Sequence, residues 1–404
     1  MEQLPETFRT RFDDVAREYR SAAFRAYIDT PPRSFKESPT TREYVDVTEE
    51  ELASLLIPDS TETQVQEIEG DVAIVDSRVV VKNGHGAYVS GLKETLADNP
   101  GMIPEAVLSA TGKDRAEYLI NSCWENGAFM RVDDSTHEFR ISVTETSNRK
   151  SLALKSVIVV GNDCNVDIDY RCVSDSATGS VHGKTLYLFI GRRSRVNFTY
   201  LQEKSSSVTD LTFVRSFLSD YAEFRIFHVN RGSLKTIFSN ESLMEGDGSD
   251  FRTFGVSFSD GVQRMDIRDS SFQTGKSTYA DIQVRGAVSG GSVTMHRGNI
   301  DIEEQSVLSN GFYDSRILLL SKDGYANSKP GLIIRNSNTR SKHGSAISSI
   351  DEEQVLYLQS RGIGKKLARS MITEGFLGFS VEKSGNEFLM GKVHEFAQAL
   401  ISND

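Results

Sequence analysis

Apolar residues change their spacing twice along this chain, and the changes divide it into three stretches. In the first, Phe8, Phe12, Val15, Tyr19 and Ala22 recur every three or four positions with Arg and Asp between them. That spacing gathers apolar side chains on one face of a helix, and Pro31-Pro32 stops it. A second, short helix is expected in Val47–Leu56, with Thr48 capping it ahead of Glu51. Val79–Val81 reads as a short strand, followed by a turn at Asn83-Gly84. Ala106, Leu108, Tyr118, Leu119 and Cys123 then restore helical spacing over 103–127.

From about Phe129 the helical period disappears. Short runs such as Ser156–Val160, Val166–Tyr170, Glu223–Val229 and Arg316–Leu320 recur, separated by turn clusters such as Gly161–Asp163, Gly191–Ser194 and Glu245–Asp250. Val166, Ile168 and Tyr170 face one way while Asp167 and Asp169 face the other, the period of a strand. Runs at this spacing predict an all-β body. Sandwich, barrel and β-helix all fit. A single sandwich is too small for so many strands, whereas a solenoid takes any number because each coil stacks on the last. No tight sequence repeat marks the coils.

After about Ser348 the helical spacing returns. Asp351-Glu-Glu-Gln354 has the form of a capping box, and Gly362 is a natural stop. A second helix is expected through Leu367, Ala368, Met371 and Ile372, ending at Gly375. A third carries Leu389, Val393, Phe396 and Leu400 on one stripe. The chain thus divides into an N-terminal helical and mixed region (1–128), a β core (129–347) and a helical tail (348–404).

Composition narrows the function. With 38% hydrophobic and 25% charged residues over 404 positions, there is apolar mass for a sizeable core. A net charge of −11 argues against nucleic acid as the main partner, since phosphate binding needs concentrated Lys and Arg. No apolar run approaches the roughly 20 residues of a membrane span, and the first residues lack the apolar core of a secretory signal. Cys123, Cys164 and Cys172 are too few and oddly spaced for a disulfide framework or a zinc site. A reducing cytoplasm is expected. Thr274-Gly275-Lys276-Ser277 imitates the end of a P-loop, but Ser270 stands where the first glycine belongs. No GxSxG, HExxH or CxxC occurs, and the seven histidines are scattered. The chain is therefore expected to hold partners and not to be an enzyme.

The stretch from Leu318 to Ile363 carries a recognisable order of residues: Leu318–Leu320, Pro330, Leu332, Ile334, His343-Gly344, Asp351, Gln354, Tyr357-Leu358 and Ser360-Arg-Gly-Ile363, then Gly375-Phe376. It resembles the C-terminal signature of the SufB/SufD family, scaffold subunits of the Suf iron–sulfur cluster assembly machinery. Tyr170-Arg171-Cys172, Ser180-Val181-His182 and Leu119–Asn121 with Asn126-Gly127 are similar to upstream family positions, so the resemblance covers roughly residues 110–380. It implies a right-handed parallel β-helix flanked by helical segments. It implies pairing through the β-helix with a SufB-like subunit or a second copy of the chain. It also implies docking of a SufC-like ABC-type ATPase on the C-terminal helices, at Gln354, Leu356, Tyr357, Leu358, Arg361, Gly362, Ile363 and Phe376.

No tightly bound cofactor is expected, only a transient iron–sulfur cluster at the subunit interface. His343 is the candidate cluster ligand, with Cys172 and His182 as a second pair; the alternative for His343 is an imidazole that only hydrogen-bonds its turn. Ser341 stands where a cysteine is expected two residues before His343, and neither the neighbourhood of Gly324 nor Leu211–His228 contains one. These departures make the chain SufD-like rather than SufB-like. Two other readings remain, a homodimeric scaffold of a minimal system and a β-helical carbohydrate-binding protein, the latter disfavoured by the single Trp.

Overall fold

The apolar–polar alternation from Phe139 to Ser349 produces strands of eight to eleven residues that fall in turn into two facing sheets. The structure is a computed structural model that describes residues 16–31, 45–57, 59–64, 69–108, 114–133, 138–174 and 179–402. Each strand pairs in parallel with the strand one coil on: Val208 lies beside Ser180, Thr209 beside Lys235, Asp250 beside Tyr279. The result is a parallel β-solenoid of about 7 turns with helices at both ends of the chain, the expected β-helix. Its interior carries one continuous apolar cluster in which Val166, Ile168 and Tyr170 point inward, as their alternation requires. Aromatic rings stack from coil to coil, Tyr170 on Tyr200 at 6.1 Å and Phe224 on Phe251 at 5.9 Å.

A repeat does mark the coils, at one corner. Asp163, Arg193, Tyr221, Gly248, Ser277 and Leu308 occupy the same place in successive coils, and all have φ between +55° and +69°. Their N–H groups bond the carbonyl just before their counterpart in the next coil: Asp163 to Arg192, Arg193 to Asp220, Tyr221 to Asp247. The residue that follows each is small and buried: Cys164, Ser194, Ala222, Ser249, Thr278 and Ser309. The repeat is one of backbone shape and side-chain size, which tolerates several residue types and so leaves no tight sequence signature.

The two ends of the solenoid differ. Upstream of residue 129, Val72–Val75 joins one sheet in parallel with Phe139–Thr146 and is itself covered by antiparallel Arg78–Val81. Tyr88–Gly91 lies antiparallel on Ala128–Val132 and leads into the helix Leu92–Asp98. At the other end the strands Tyr325–Ile334 and Arg340–Ser349 are the last of their sheets.

Helices cover both outer faces. Phe8, Phe12 and Val15, read as the start of the first helix, lie outside the described residues; the helix described is Arg17–Asp29, with Tyr19 and Tyr27 buried. Thr48 and Glu51 form the expected capping box, at 3.2 and 2.8 Å. Leu119 and Ile120 of the helix Arg115–Cys123 pack on Val181, Leu211 and Phe213 of one sheet. On the other sheet, Leu389, Val393, Phe396 and Leu400 all bury their stripe against Phe227, Phe254 and Phe258.

Two details of the tail differ from expectation. Asp351 caps the helix Glu352–Ser360 by accepting from the Glu353 N–H at 2.9 Å, but exposed Gln354 does not close a box. Gly375 does not end the second helix, which runs Lys365–Val381. A mid-helix glycine costs about 1 kcal/mol, whereas continuing the helix buries Leu377 and Val381, each worth roughly 1.5–3 kcal/mol. The chain turns only near Gly385, at φ +62°.

Asp266 ties the N-terminal helices to the sheet. It accepts from Arg297 at 2.6 and 2.8 Å and from Arg268 at 2.9 and 3.1 Å, and Arg268 reaches on to Asp114 at 2.6 Å. Burial alone would raise its pKa; the two guanidinium groups hold the carboxyl well below the usual range. Asp266→Asn removes the one buried carboxylate that Arg268 and Arg297 share, so unfolding free energy measured by denaturant titration should fall by about 3–5 kcal/mol. A loss under about 1 kcal/mol would contradict this account.

Candidate functional site

The open end of the solenoid is where its interior meets solvent. His343 lies in the strand Arg340–Ser349 and pairs in register with Tyr313 of Asn310–Leu319. It is therefore in a strand and not in a turn: the coil below supplies a full ladder from Asn310 to Leu319 for 340–349 to pair with, which overrides the turn-like Ser-Lys-His-Gly composition. Tyr313 belongs to the interior core, so register places His343 on the inward-facing side of the last coil, where it is exposed for want of a coil above. Ser341 sits two residues away on the same side, beside Gly311. The hydroxyls of Tyr313, Ser328 and Ser341 are buried here and lack a hydrogen-bond partner. The mouth thus presents one exposed imidazole over several buried hydroxyls, and no thiol.

The second candidate pair lies beside one buried charged cluster, since Glu145 and Lys204 act on both residues. Cys172 and His182 are both buried, but they bond different groups. His182 Nε2 lies 2.8 Å from the Arg149 carbonyl. Cys172 Sγ accepts from Lys184 Nζ at 2.8 Å, within a buried cluster that also holds Glu145, Lys204 and Asp210. Two lysines face two carboxylates there, so little net charge is left to favour a thiolate. Burial first, and the Glu145 carboxylate second, push the Cys172 thiol up to about 12 against the pull of Lys184 and Lys204. A thiol held protonated is a poor ligand and a poor nucleophile.

The docking candidates divide by exposure. Leu358, Ile363 and Phe376 pack on the core under the tail. Leu356 and Tyr357 stand 63% and 59% exposed, with Gln354 and Arg361 exposed beside them. The Arg361 guanidinium lies 5.2 Å from the Tyr357 ring centre, an ordered cation–aromatic pair. Gly362 adopts φ +87°, and the Gly362 and Ile363 N–H groups bond the Gln359 and Leu358 carbonyls, which closes the helix. Asp351, Gln354, Tyr357, Leu358 and Ile372 line an open groove of about 400 Å³. Leu367 and Met371, expected on the second helix, face solvent, and Phe379 continues their line. The four-residue spacing Leu367, Met371, Gly375, Phe379 carries this signal, but an outward apolar stripe looks the same in sequence as an inward one.

Residues 142–376, more than half of the chain, match the family described as SUF system FeS cluster assembly, SufBD core domain. This chain belongs to the SufBD family. An iron-sulfur cluster assembly SufBD family protein of Staphylococcus epidermidis is 22% identical over 332 residues, covering 78% of this chain and 70% of its own length. A protein of the same description in Staphylococcus haemolyticus gives the same figures. A chloroplastic SufBD family protein of Arabidopsis thaliana is 21% identical over 321 residues, covering 75% of this chain and 57% of its own length. The SufBD match runs from inside the solenoid through the mouth to Phe376, so it includes His343 and every docking candidate. Among the described residues, no helix is long and apolar enough to cross a membrane.

Sequence reasoning missed the charged cluster around Cys172. Its lysines and carboxylates sit on four different strands, and only the coil register brings them together.

Two solution properties follow from these buried groups. In native protein at pH 8, a thiol reagent should find no fast-reacting cysteine, and all three should react once denaturant is added; rapid native labelling of Cys172 would contradict the locked thiol. Burial pushes His182 down to about 4 and His296 to about 3, both below the ordinary 6.5. The unfolded chain therefore binds these protons first as pH drops. The stability they contribute is fully present above about pH 6.5 and is lost below it, by up to about 1.4 kcal/mol per pH unit for each histidine. Denaturation midpoints between pH 7.5 and 5 should fall accordingly, and His296→Asn should shallow that slope. An unchanged slope would remove His296 from the account.

Proposed function

We propose that this chain is a non-enzymatic, SufD-like scaffold subunit of a cytoplasmic Suf-type complex that builds iron–sulfur clusters. The observation that carries the reading is the solenoid's open end, with an exposed imidazole and no thiol. Two strand edges end there side by side, and Tyr325, Ile333, Ile334 and Ile347 are exposed among them. An unprotected edge with apolar residues is a pairing surface. A SufB-like subunit fits it, since a nascent cluster needs soft thiolate ligands that this mouth lacks and a second subunit must bring. His343 then contributes an imidazole from this side, and the cluster is cargo shared across the interface.

The exposed face of the tail supports the second part of the reading, docking of a SufC-like ABC-type ATPase. Leu356 and Tyr357 on one helix and Leu367, Met371 and Phe379 on the next form an apolar surface, with Gln354 and Arg361 as directional polar groups. The homodimeric alternative uses the same open end, because a two-fold interface presents one patch twice.

Co-expression with a SufB-like subunit and the ATPase, followed by native mass measurement, separates the two arrangements. A stable homodimer that rebuilds clusters without a SufB-like subunit would overturn the heterodimer. Tyr357→Ala with Arg361→Ala should weaken ATPase capture by tenfold or more, on the order of 1–3 kcal/mol, without changing thermal unfolding. Undiminished capture would remove the docking assignment. His343→Ala should leave complex formation intact but impair cluster delivery in cells, and full complementation would count against the ligand role.

A further inference from the structure

One guanidinium joins the tail to the open end. Arg369, in the helix Lys365–Val381 and 17% exposed, donates from Nη2 to the Leu320 carbonyl at 2.7 Å and from Nη1 to Glu352 Oε1 at 2.9 Å. Leu320 directly follows Asn310–Leu319, the strand on which Arg340–Ser349 pairs, and its N–H bonds the Val288 carbonyl in the coil below. Leu320 is thus a fixed point on the last well-buried coil. Glu352 is the first residue of the helix Glu352–Ser360, and only Ile350 and Asp351 separate that helix from the strand bearing His343. Arg369 therefore grips this continuous segment at its elbow and ties it to a fixed point.

The segment it grips is thinly anchored. The strand Arg340–Ser349 is mostly exposed along its length. The helix Glu352–Ser360 buries only Val355 fully, whereas the last helix buries Leu389, Val393, Phe396, Ala397 and Leu400. The strand pairs along one edge only, with Asn310–Leu319, and Ile350 and Val355 pin the elbow to the core under the tail. Elements with few buried apolar groups open at lower free energy than the rest of a fold, and the two-pronged, charge-assisted contact of Arg369 adds the directed polar link between this elbow and the coil below.

We infer that Arg369 is a positioning residue that sets the strand Arg340–Ser349, and with it His343, relative to the tail. Displacement of Glu352–Ser360 by a bound partner then reaches His343 through Arg369. The coupling rests on the docking reading above; the positioning role of Arg369 does not.

Hydrogen exchange followed by mass spectrometry on the full chain tests both. In Arg369→Ala, amides of 340–349 and 352–360 should exchange faster by on the order of tenfold while the coils from 180 to 302 stay unchanged. Arg369→Lys, able to reach one of the two acceptors, should recover part of the protection, and Glu352→Gln should show a smaller loss in the same segment. Unaltered exchange at 340–349, or faster exchange everywhere, would overturn the positioning role. Adding the purified ATPase to wild type should alter exchange at both 352–360 and 340–349, and in Arg369→Ala at 352–360 alone. An equal response at 340–349 in both proteins would overturn the coupling. If the ATPase changes neither protein, the docking reading fails and the coupling with it, while the ATPase-free comparison still decides the positioning role.

Discussion

A parallel sheet cannot simply stop. Every strand satisfies its backbone on two sides, so the last strand of a stack leaves a row of N–H and C=O groups open. This solenoid ends twice and resolves the problem differently each time. At the N-terminal end, the sheets finish in the short antiparallel strands Arg78–Val81 and Tyr88–Gly91, the latter running into the helix Leu92–Asp98, so the edge left open is only four residues long on each sheet. At the C-terminal end, Tyr325–Ile334 and Arg340–Ser349 close nothing. Pro330 interrupts the first of these edges by removing an N–H, and Arg340 and Lys342 place charge on the second. Proline and charge blunt promiscuous pairing without abolishing a specific one, the balance a pairing surface requires.

The interior obeys a second constraint. The inside of a solenoid two sheets thick is screened from bulk solvent, so each charged residue pointing inward needs an opposite one within reach. Glu145, Lys184, Lys204 and Asp210 meet that need together. Outside one sheet, Asp114, Asp266, Arg268 and Arg297 meet it again and fasten the N-terminal helices in doing so. Such clusters add little net stability compared with apolar packing, but they penalise any slip in coil register, since a shifted coil would strand a buried charge. Register is what this fold must protect, because successive coils carry no identical sequence to align them.

The fold was legible where local spacing and burial agree. Val166, Ile168 and Tyr170 alternate with Asp167 and Asp169 and point inward as read; Thr48 and Glu51 make a box because both partners lie within one turn. Legibility failed where the deciding contact is remote. Gly375 looks like a helix stop until the burial of Leu377 and Val381 is counted. The residues around His343 look like a turn until the ladder beneath them is known. Of the candidate site, the family signature located the mouth and the tail by residue order alone. It was silent on which face of the tail is exposed, because Leu367 and Met371 have the apolar character of core residues.

The chemistry of the mouth and that of the interior point the same way. A subunit that received sulfur on its own would need a thiol that is both reachable and ionised. Cys172 is neither: the solenoid wall covers it, and burial first, with the Glu145 carboxylate second, keeps the thiol protonated against the pull of Lys184 and Lys204. At the mouth the position two residues before His343 is a hydroxyl, whose oxygen suits hard cations better than the iron and sulfide of a cluster. Under the proposed reading, the imidazole of His343 is then the one soft-compatible donor this end offers, and a single donor cannot hold a cluster. The division of labour follows from that count. On that reading a partner across the open edge would bring the thiolates and this chain would place one nitrogen accurately, so the anchoring of the strand that bears it would matter more than any group this chain could ionise.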